Sequence, residues 1–501
     1  MKSKFFFNVT SNYAGTVWSA LLQLILVPLY IKLLGVESYG LIGFFVTLQA
    51  VIQVLDLGLS PAINREMARS SAMGSPGREI KDVVRTLEYI YCGAGVAIGL
   101  AIALFSTLLA THWVNVKTIP LGDVKIAIAL MGLTVAFQWP MSFYNGGLLG
   151  LQRQALVNGL KVIFSTVAGF GAIALLMLVS PSVSLFFIWQ AGVVLIQVIV
   201  TRKMLWRSLI TSGDRECPCF RLESLSNIWR FSLGMTGISL TSVMLIQSDK
   251  VILSKILTME HFGYYMLATS AANFLPQLVS PIFVAVFPTL SKLVVTKDVE
   301  GQQQQFHLCA QLISVIVFPI AVTFIFFSHS IITIWTRNEG LASYSSPVLS
   351  LLAIGAVLNS IMVLPYALQL AHGWTKLGVT INAFLVCLMI PYTIVAAKLY
   401  GAQGAATTWI LLNALYVTVG APLTLKRLLP GEGWRWLGKD VLLPIFCIFG
   451  AVLFVWLVMP RQGSMLMMAT KLLMSVLLSY TAALAGSGEI RRKVLEKYLS
   501  L

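Results

Sequence analysis

Two opposite charges, Asp249 and Lys250, stand side by side in the apolar stretch GMTGISLTSVMLIQSDKVILSKIL, and their position suggests chemistry. A charged side chain at the centre of a lipid bilayer costs roughly 2.5–3.5 kcal/mol on insertion scales, so such residues usually have a function. Neighbouring helix positions point about 100° apart. We therefore predict that the two charges do not simply neutralise each other across one face. At least one should face a protein cavity or another helix.

The composition surrounding these charges is that of a polytopic membrane protein. Of 501 residues, 57% are apolar and only 11% are charged, and the mean hydropathy is +0.85. Apolar runs long enough to cross a bilayer recur along the whole chain, which predicts an all-α fold with about fourteen spans. The predicted spans lie at 11–34, 39–61, 83–110, 124–149, 155–179, 182–203, 229–257, 262–291, 306–328, 345–371, 377–399, 403–425, 440–459 and 464–486.

The net charge of +16 is explained by the loops. Short cytoplasmic loops are enriched in Lys and Arg, and an even number of spans places both termini on one side, so we predict that both are cytoplasmic. Basic loops of this kind contact anionic membrane lipid. No loop is long enough to build the basic, aromatic surface that nucleic acid requires, so no nucleic-acid partner is expected.

An internal repeat divides the chain. At an offset of 223, KLLGVESYGL (residues 32–41) aligns with KILTMEHFGY (residues 255–264), and GLQRQALVN (150–158) resembles GWTKLGVTIN (373–382). Such repeats are common in transporter folds. The repeat predicts an N-lobe of six spans at 1–203, a cytoplasmic linker at 204–228 and a C-lobe of six spans at 229–427. Two further spans follow at 428–488, before a basic cytoplasmic tail at 489–501.

Four segments carry a resemblance to a known family: VLDLGLSPAINREMAR (54–69), the ESYGL turn, QSDKVIL (247–253) and the HFGYY turn. They are similar to polysaccharide-biosynthesis flippases of the Wzx type, in the multidrug, oligosaccharidyl-lipid and polysaccharide exporter superfamily. The resemblance implies two six-helix bundles that alternate access to the two membrane faces. It also implies that the substrate is an undecaprenyl-pyrophosphate-linked oligosaccharide, such as an O-antigen repeat unit, flipped across the bacterial inner membrane. Further implied partners are a coupling ion (H⁺ or Na⁺) and the polysaccharide polymerase and chain-length machinery.

Such a substrate requires cations for pyrophosphate and hydrogen-bonding groups for sugars. The polar residues within spans that we assign to substrate binding or coupling are Asp249, Lys250, Gln247, Gln23, Asn145, Asn273 and Gln277. Gln138, Asn359 and Gln369 are further amides in spans, and Trp18, Trp139 and Tyr144 are candidate sugar-stacking surfaces. Each amide also suits an interhelical hydrogen bond.

Three residues are assigned to a gate or a structural role: Asp56, Arg65 and Pro28. Asp56 lies about 24 Å along its helix from Gly40, near the predicted cytoplasmic interface. That depth favours a role at a helix end or an inner gate. Asp249, about 27 Å from the cytoplasmic start of its helix, is predicted to lie in the outer part of the membrane. Pro28 is the preferred hinge.

Other functional classes remain open. An ion-coupled multidrug antiporter and a peptidoglycan-precursor flippase share the expected architecture, and a membrane glycan polymerase or glycosyltransferase is an enzymatic alternative. The short outer loops argue against an enzyme. The stretch GWRWLGKD (433–440) matches GxxxxGK, but Asp440 replaces the Ser or Thr that binds magnesium and no strand precedes it. We therefore expect no nucleotide, no metal and no other cofactor.

Overall fold

A computed structural model describes residues 2–72, 78–209, 218–221, 226–460 and 463–492, and every regular element in these ranges is helical. This arrangement confirms the predicted all-α fold. In a bilayer a helix satisfies its backbone hydrogen bonds within one segment, which suits a chain of this hydropathy. The chain divides into two compact units, Met1–Gly263 and Tyr264–Leu501.

The first unit is built from nine helices and the start of a tenth. They are α1 (Lys2–Leu34), α2 (Val36–Ile52), α3 (Leu59–Ala72), α4 (Arg78–Leu104), α5 (Ser106–His112), α6 (Leu121–Gly150), α7 (Gln154–Leu178), α8 (Val183–Leu209), α9 (Ser226–Ile256) and α10 (Met259–Ala272). A 3₁₀ turn, Gln53–Asp56, extends α2. Helix α6 is central, because it packs against α3, α4, α5 and α8.

The second unit continues from α10 with eight further helices. They are α11 (Phe274–Val295), α12 (Val299–Thr336), α13 (Glu339–Ala371), α14 (Thr375–Leu415), α15 (Ala421–Leu428), the single turn α16 (Gly433–Arg435), α17 (Leu443–Val458) and α18 (Met465–Gly486). The side chains of Asp298, Asn338 and Ser464 cap α12, α13 and α18 by accepting backbone hydrogen bonds in their first turns.

Most of the predicted spans fall on these helices, but the prediction of one span at 39–61 was wrong, because the chain turns at Leu57 and Gly58 between α2 and α3. Within the described residues, eleven helical stretches are long and apolar enough to cross a membrane, and a shorter apolar stretch, Trp18–Leu34, lies in α1. One of the eleven, Thr375–Leu428, contains two predicted spans. Its helix α14 is interrupted at Gly401, where φ is +59°, between the predicted spans 377–399 and 403–425. The total of about fourteen and the lobe boundaries remain predictions.

The first pair of repeat segments meets inside the first unit. A Cβ added to Gly40 would overlap the carbonyl oxygen of Met259, and one added to Gly263 would overlap that of Val36. The contact is reciprocal, because each added Cβ would also lie 3.3 Å from the backbone nitrogen of the other glycine. The starts of α2 and α10 are related by the repeat, and they touch through equivalent residues, Gly40 and Gly263. The contact is therefore a local two-fold arrangement, as in an isologous interface.

A buried polar network fastens the end of the second unit to α12. Both ring nitrogens of His307 face carboxylates: Nδ1 contacts Asp440, and Nε2 lies 2.9 Å from Glu432 Oε2. Gln311 donates to Asp440 Oδ1 at 2.8 Å and accepts from the backbone N–H of Glu489 at 2.8 Å. The segment containing Asp440 is helical, so the GxxxxGK match is a helix junction here.

Candidate functional site

A cavity of about 200 Å³ lies in the first unit between the end of α2 and the middle of α6. One wall is the 3₁₀ turn that follows α2, and the other is a continuous face of α6. Most of the lining side chains are polar: Gln49, Gln53, Asp56, Gln138, Ser142 and Asn145, beside Trp139, Ile52, Val135 and Met141. We call this space the Asp56 cavity.

The local backbone places the Asp56 carboxylate in this cavity. Leu57 and Gly58 adopt positive φ angles of 51° and 72°, which turn the chain between α2 and α3. Glycine adopts this region readily, and the turn leaves Asp56 at the start of α3. Its Oδ2 accepts the backbone N–H of Ser60 at 3.1 Å, as a capping residue does.

The other carboxylate oxygen of Asp56 accepts hydrogen bonds from three hydroxyl groups on three different helices. Oδ1 accepts hydrogen bonds from Ser60 Oγ at 2.7 Å, Tyr91 Oη at 2.5 Å and Ser142 Oγ at 3.3 Å. Tyr91 is buried on α4 and stacks on Phe143 at 5.2 Å between ring centroids. The carboxylate is therefore held rigidly by α3, α4 and α6.

Amides complete the polar wall. Gln49 donates its side-chain N–H to Gln138 Oε1 across the cavity. Asn145 is half-buried and makes no side-chain hydrogen bond to another described residue. Trp139 adds an indole and packs beside Tyr91, with the ring centroids 6.4 Å apart. Carboxylate, amides, a hydroxyl and an indole together are the groups that hydrogen-bond and stack on sugar rings.

The structure contradicts one expectation about Asp249 and Lys250. Lys250 Nζ bends back to Asp249, at 3.1 Å from Oδ1 and 3.3 Å from Oδ2, and also donates to the carbonyl of Ile246 at 3.0 Å. The prediction that adjacent residues do not pair was wrong, because the flexible four-carbon stem of Lys reaches back over its own helix. Both side chains are 15% exposed, so the pair is mostly buried on α9.

The remaining predicted residues lie apart from the Asp56 cavity. In the first unit, Gln23 and Pro28 are half-buried on α1, Gln247 is half-buried on α9, and Arg65 is exposed on α3. In the second unit, Asn273 is exposed at the start of α11 and Gln277 is half-buried on that helix. Their assignments to binding, coupling or gating remain predictions. Of the residues predicted to bind substrate or to couple transport, Asn145 lines the cavity with Asp56.

The aromatic and amide candidates separate into two groups. Trp139 lines the cavity, whereas Tyr144 is 1% exposed, so its ring is packed in the core and not open for stacking. Trp18 donates to Thr166 Oγ1 at 2.8 Å. The amides Asn359 and Gln369 bond to Asn413 and Thr424 on other segments of the second unit.

Sequence reasoning missed a second polar centre, at Glu88. This carboxylate is buried on α4 and accepts hydrogen bonds from Tyr144 Oη at 2.8 Å and Trp206 Nε1 at 3.2 Å. It also pairs with Arg85 at 2.8 Å and Arg202 at 2.6 Å. The available signal was an acid inside an apolar run, TLEYIYCGAGVAIG, with a basic residue three positions earlier.

Fold and site define a multi-pass α-helical membrane protein with a polar cavity inside one helical unit. Over 96% of this chain and 99% of the other, it is similar to lipid II flippase MurJ in an inward closed conformation, with a TM-score of 0.72 at 16% identity. It is also similar to an inward-facing multidrug resistance MATE family transporter of the MOP superfamily: TM-score 0.64 at 16% identity, over 82% of this chain and 94% of that one. These likenesses concern the fold.

The chain belongs to the polysaccharide biosynthesis protein family, whose sequence profile matches residues 6–294. This match confirms the family expected from the sequence. The protein named "Putative O-antigen transporter" from Shigella flexneri is 22% identical over 76% of this chain and 89% of its own. Lipopolysaccharide biosynthesis protein WzxC of Escherichia coli (strain K12) is 21% identical over 86% of this chain and 84% of its own.

Proposed function

We propose that this protein is a flippase that moves an undecaprenyl-pyrophosphate-linked oligosaccharide across the bacterial inner membrane by alternating access. The cargo is the repeat unit of O-antigen or of a related surface polysaccharide. The family match and the names of the relatives, an O-antigen transporter and a lipopolysaccharide biosynthesis protein, support this class of substrate. The many apolar helices support a multi-pass membrane location.

The observation that carries the proposal is the chemistry of the Asp56 cavity. Its volume of about 200 Å³ is below the roughly 300 Å³ at which drug-sized ligands begin. The cavity therefore suits one sugar ring and not a whole repeat unit. The sugar rings of the repeat unit would enter this cavity one at a time. Each ring would be bound by the carboxylate, the amides and the indole, so the protein needs no separate deep pocket for every sugar.

Several finer features belong to the same proposal. We place both termini in the cytoplasm on the basis of the loop charges, and we keep the division into an N-lobe, a C-lobe and two additional spans. An ion gradient of H⁺ or Na⁺ drives transport, with Asp249 as the coupling group. The polymerase and chain-length machinery receive the flipped unit. The protein itself forms and breaks no glycosidic bond.

Genetic complementation tests the proposal. The gene is expressed in strains that each lack a defined glycan flippase, and the surface polysaccharide and the accumulated lipid-linked intermediates are analysed. We expect rescue in at least one strain. Asp56→Asn keeps a side-chain oxygen for the Ser60 N–H but removes the charge. Since a hydrogen bond to a charged group contributes about 1.5–3 kcal/mol, rescue should fall about tenfold or more.

Two further variants separate recognition from folding. Asn145→Leu narrows the cavity without breaking a side-chain hydrogen bond among the described residues, so it should reduce rescue at unchanged membrane abundance. The matched control is Asp123→Asn, which removes an exposed acid at the start of α6 and should leave rescue intact. Failure with every glycan, together with acquired drug efflux, would replace the proposal with the antiporter. Rescue only of a strain lacking the peptidoglycan-precursor flippase would change the cargo.

A further inference from the structure

Two arginines in the first unit share one buried carboxylate. Glu88 is 4% exposed, and its Oε2 accepts from Arg85 Nη1 while its Oε1 accepts from Arg202 Nε. Tyr144 and Trp206 also donate to Oε1. The acceptor positions of Glu88 are therefore largely used within the protein, and the carboxylate is a fixed anchor for both guanidinium groups.

The arginines retain unused binding capacity. Arg202 bonds to Glu88 through Nε alone, so its two terminal amino groups have no hydrogen-bond partner among the described residues. The Arg202 side chain is 48% exposed and that of Arg85 is 31% exposed. Two guanidinium charges against one carboxylate leave a net charge of +1 at this centre. A planar guanidinium with free N–H groups matches the oxygens of a phosphate.

Neighbouring aromatic rings hold Arg85 in place, and a further arginine, Arg221, pairs with an acid of the helix that carries Arg85. The Arg85 guanidinium lies over the rings of Tyr89 and Trp206, at 5.4 and 5.5 Å from their centroids. Arg221, which is 54% exposed, lies 3.5 Å from the buried Asp82 one turn before Thr86 on α4. The Arg221 backbone N–H also donates to Thr86 Oγ1 at 2.9 Å. The cationic surface is therefore built on ordered contacts.

The depth of these arginines matches lipid headgroups. Arg85 lies two residues inside the predicted apolar span 83–110, and Arg202 lies one residue before the end of the predicted apolar span 182–203. At about 1.5 Å per residue, both residues are therefore within about 3 Å of the ends of these apolar runs. The headgroup region is roughly 5–7 Å thick on each side of the hydrocarbon core. Both guanidinium groups thus fall near the boundary between headgroups and acyl chains.

We propose that Arg85 and Arg202, anchored by Glu88, form a binding site for a phosphate-bearing lipid headgroup at the membrane surface. The phosphate comes either from a bulk anionic lipid or from the pyrophosphate of a lipid-linked glycan. The inference does not depend on which cargo the protein transports. It assigns a ligand to a centre that lies outside the lining of the Asp56 cavity.

Lipid binding measured by native mass spectrometry tests the site. The protein is prepared in neutral lipid and titrated separately with phosphatidylglycerol and with undecaprenyl pyrophosphate. Arg85→Gln and Arg202→Gln should each weaken binding about tenfold or more, as expected for a lost charge-assisted hydrogen bond. Lys203→Gln, which removes an exposed charge next to Arg202, is the matched control and should change little. If the variants weaken the binding of only one of the two lipids, that lipid is the natural source of the phosphate.

A measurement on the unaltered protein avoids any folding defect in the variants. Phenylglyoxal modifies accessible arginines, and peptide mass spectrometry reads each position. Inorganic pyrophosphate should slow modification of Arg85 and Arg202 severalfold and leave the exposed Arg65 unprotected. Equal modification with and without pyrophosphate, or lipid binding unchanged in both arginine variants, would overturn the site. The two arginines would then serve only to neutralise Glu88, and the proposed transport function would be unaffected.

Discussion

Replacing His307 with alanine should destabilise the second unit more than any change at an exposed histidine. His307 is 2% exposed, and both of its ring nitrogens meet carboxylates, Asp440 and Glu432. A neutral imidazole offers only one N–H. Two carboxylate contacts therefore require an additional proton within the trio. His307→Ala removes both contacts and leaves Asp440, which is 1% exposed, facing a cavity.

The magnitude follows from the burial of the partners. Removing one member of a buried ion pair costs about 3–5 kcal/mol, because the remaining charge loses its partner. Gln311 still donates to Asp440 at 2.8 Å, and Glu432 is 17% exposed, so both partners keep some stabilisation. These terms favour the lower part of the range, and we expect a loss of about 3 kcal/mol.

Equilibrium unfolding in mixed micelles measures this loss. The matched control is His329→Ala, because His329 forms an exposed pair with Glu339 at 3.5 Å; such a pair contributes about 0–1 kcal/mol. The double variant His307→Ala/Asp440→Ala should be less damaging than the sum of the single changes by about 2 kcal/mol. Equal losses at His307 and His329, or strict additivity in the cycle, would refute this account of the network.

Three further predictions concern the first unit. Gly40→Ala places a Cβ against the Met259 carbonyl and should lower the free energy of unfolding by about 1–3 kcal/mol, whereas Gly93→Ala, with open space around it, should not lower it. Asp249→Asn and Lys250→Gln should each reduce transport at unchanged membrane abundance. Full transport in both variants would show that the pair has only a structural role. Trp139→Phe keeps a stacking face and should transport normally, whereas Trp139→Leu should slow transport about threefold to tenfold in a flipping assay.

The sequence was sufficient for the helices but not for the partners of their polar residues. The lengths of the apolar runs alone predicted the position of α6 and a break near Gly401, since a membrane span is a local property of the chain. The repeat at offset 223 aligned Gly40 with Gly263, and the structure shows these two glycines in contact. Local patterns therefore predicted the fold class, whereas the contact between the two aligned glycines became visible only in the structure.

The composition of the Asp56 cavity required packing information that no local pattern contains. Asp56 and Asn145 are 89 positions apart, and they meet because α3, α4 and α6 pack together. Helix depth predicted that Asp56 lies at a helix end, where it does hold the first turn of α3. The depth of Asp56 along its helix gave no indication that the Tyr91 and Ser142 hydroxyls donate hydrogen bonds to the same carboxylate.

Charged pairs were predicted least well. From helix angles alone, Asp249 and Lys250 were expected not to pair. They do pair, because a lysine side chain is long enough to bend back to its neighbour. The pairing of His307 with Asp440, 133 positions away, has no sequence signature. Glu88 and Arg85 are three positions apart and were recognisable as a helix pair, but Arg202, 114 positions from Glu88, comes from a different helix.

Direct observation of lipid movement tests the central claim. The purified protein is reconstituted into vesicles whose outer leaflet carries isotope-labelled undecaprenyl-pyrophosphate oligosaccharide, and a membrane-impermeant glycosidase reports the fraction still outside. The proposed function predicts protein-dependent loss of glycosidase access, slowed about tenfold or more by Asp56→Asn and unchanged by Asp123→Asn. Unchanged access with active, folded protein, or new glycosidic bonds without leaflet movement, would contradict it.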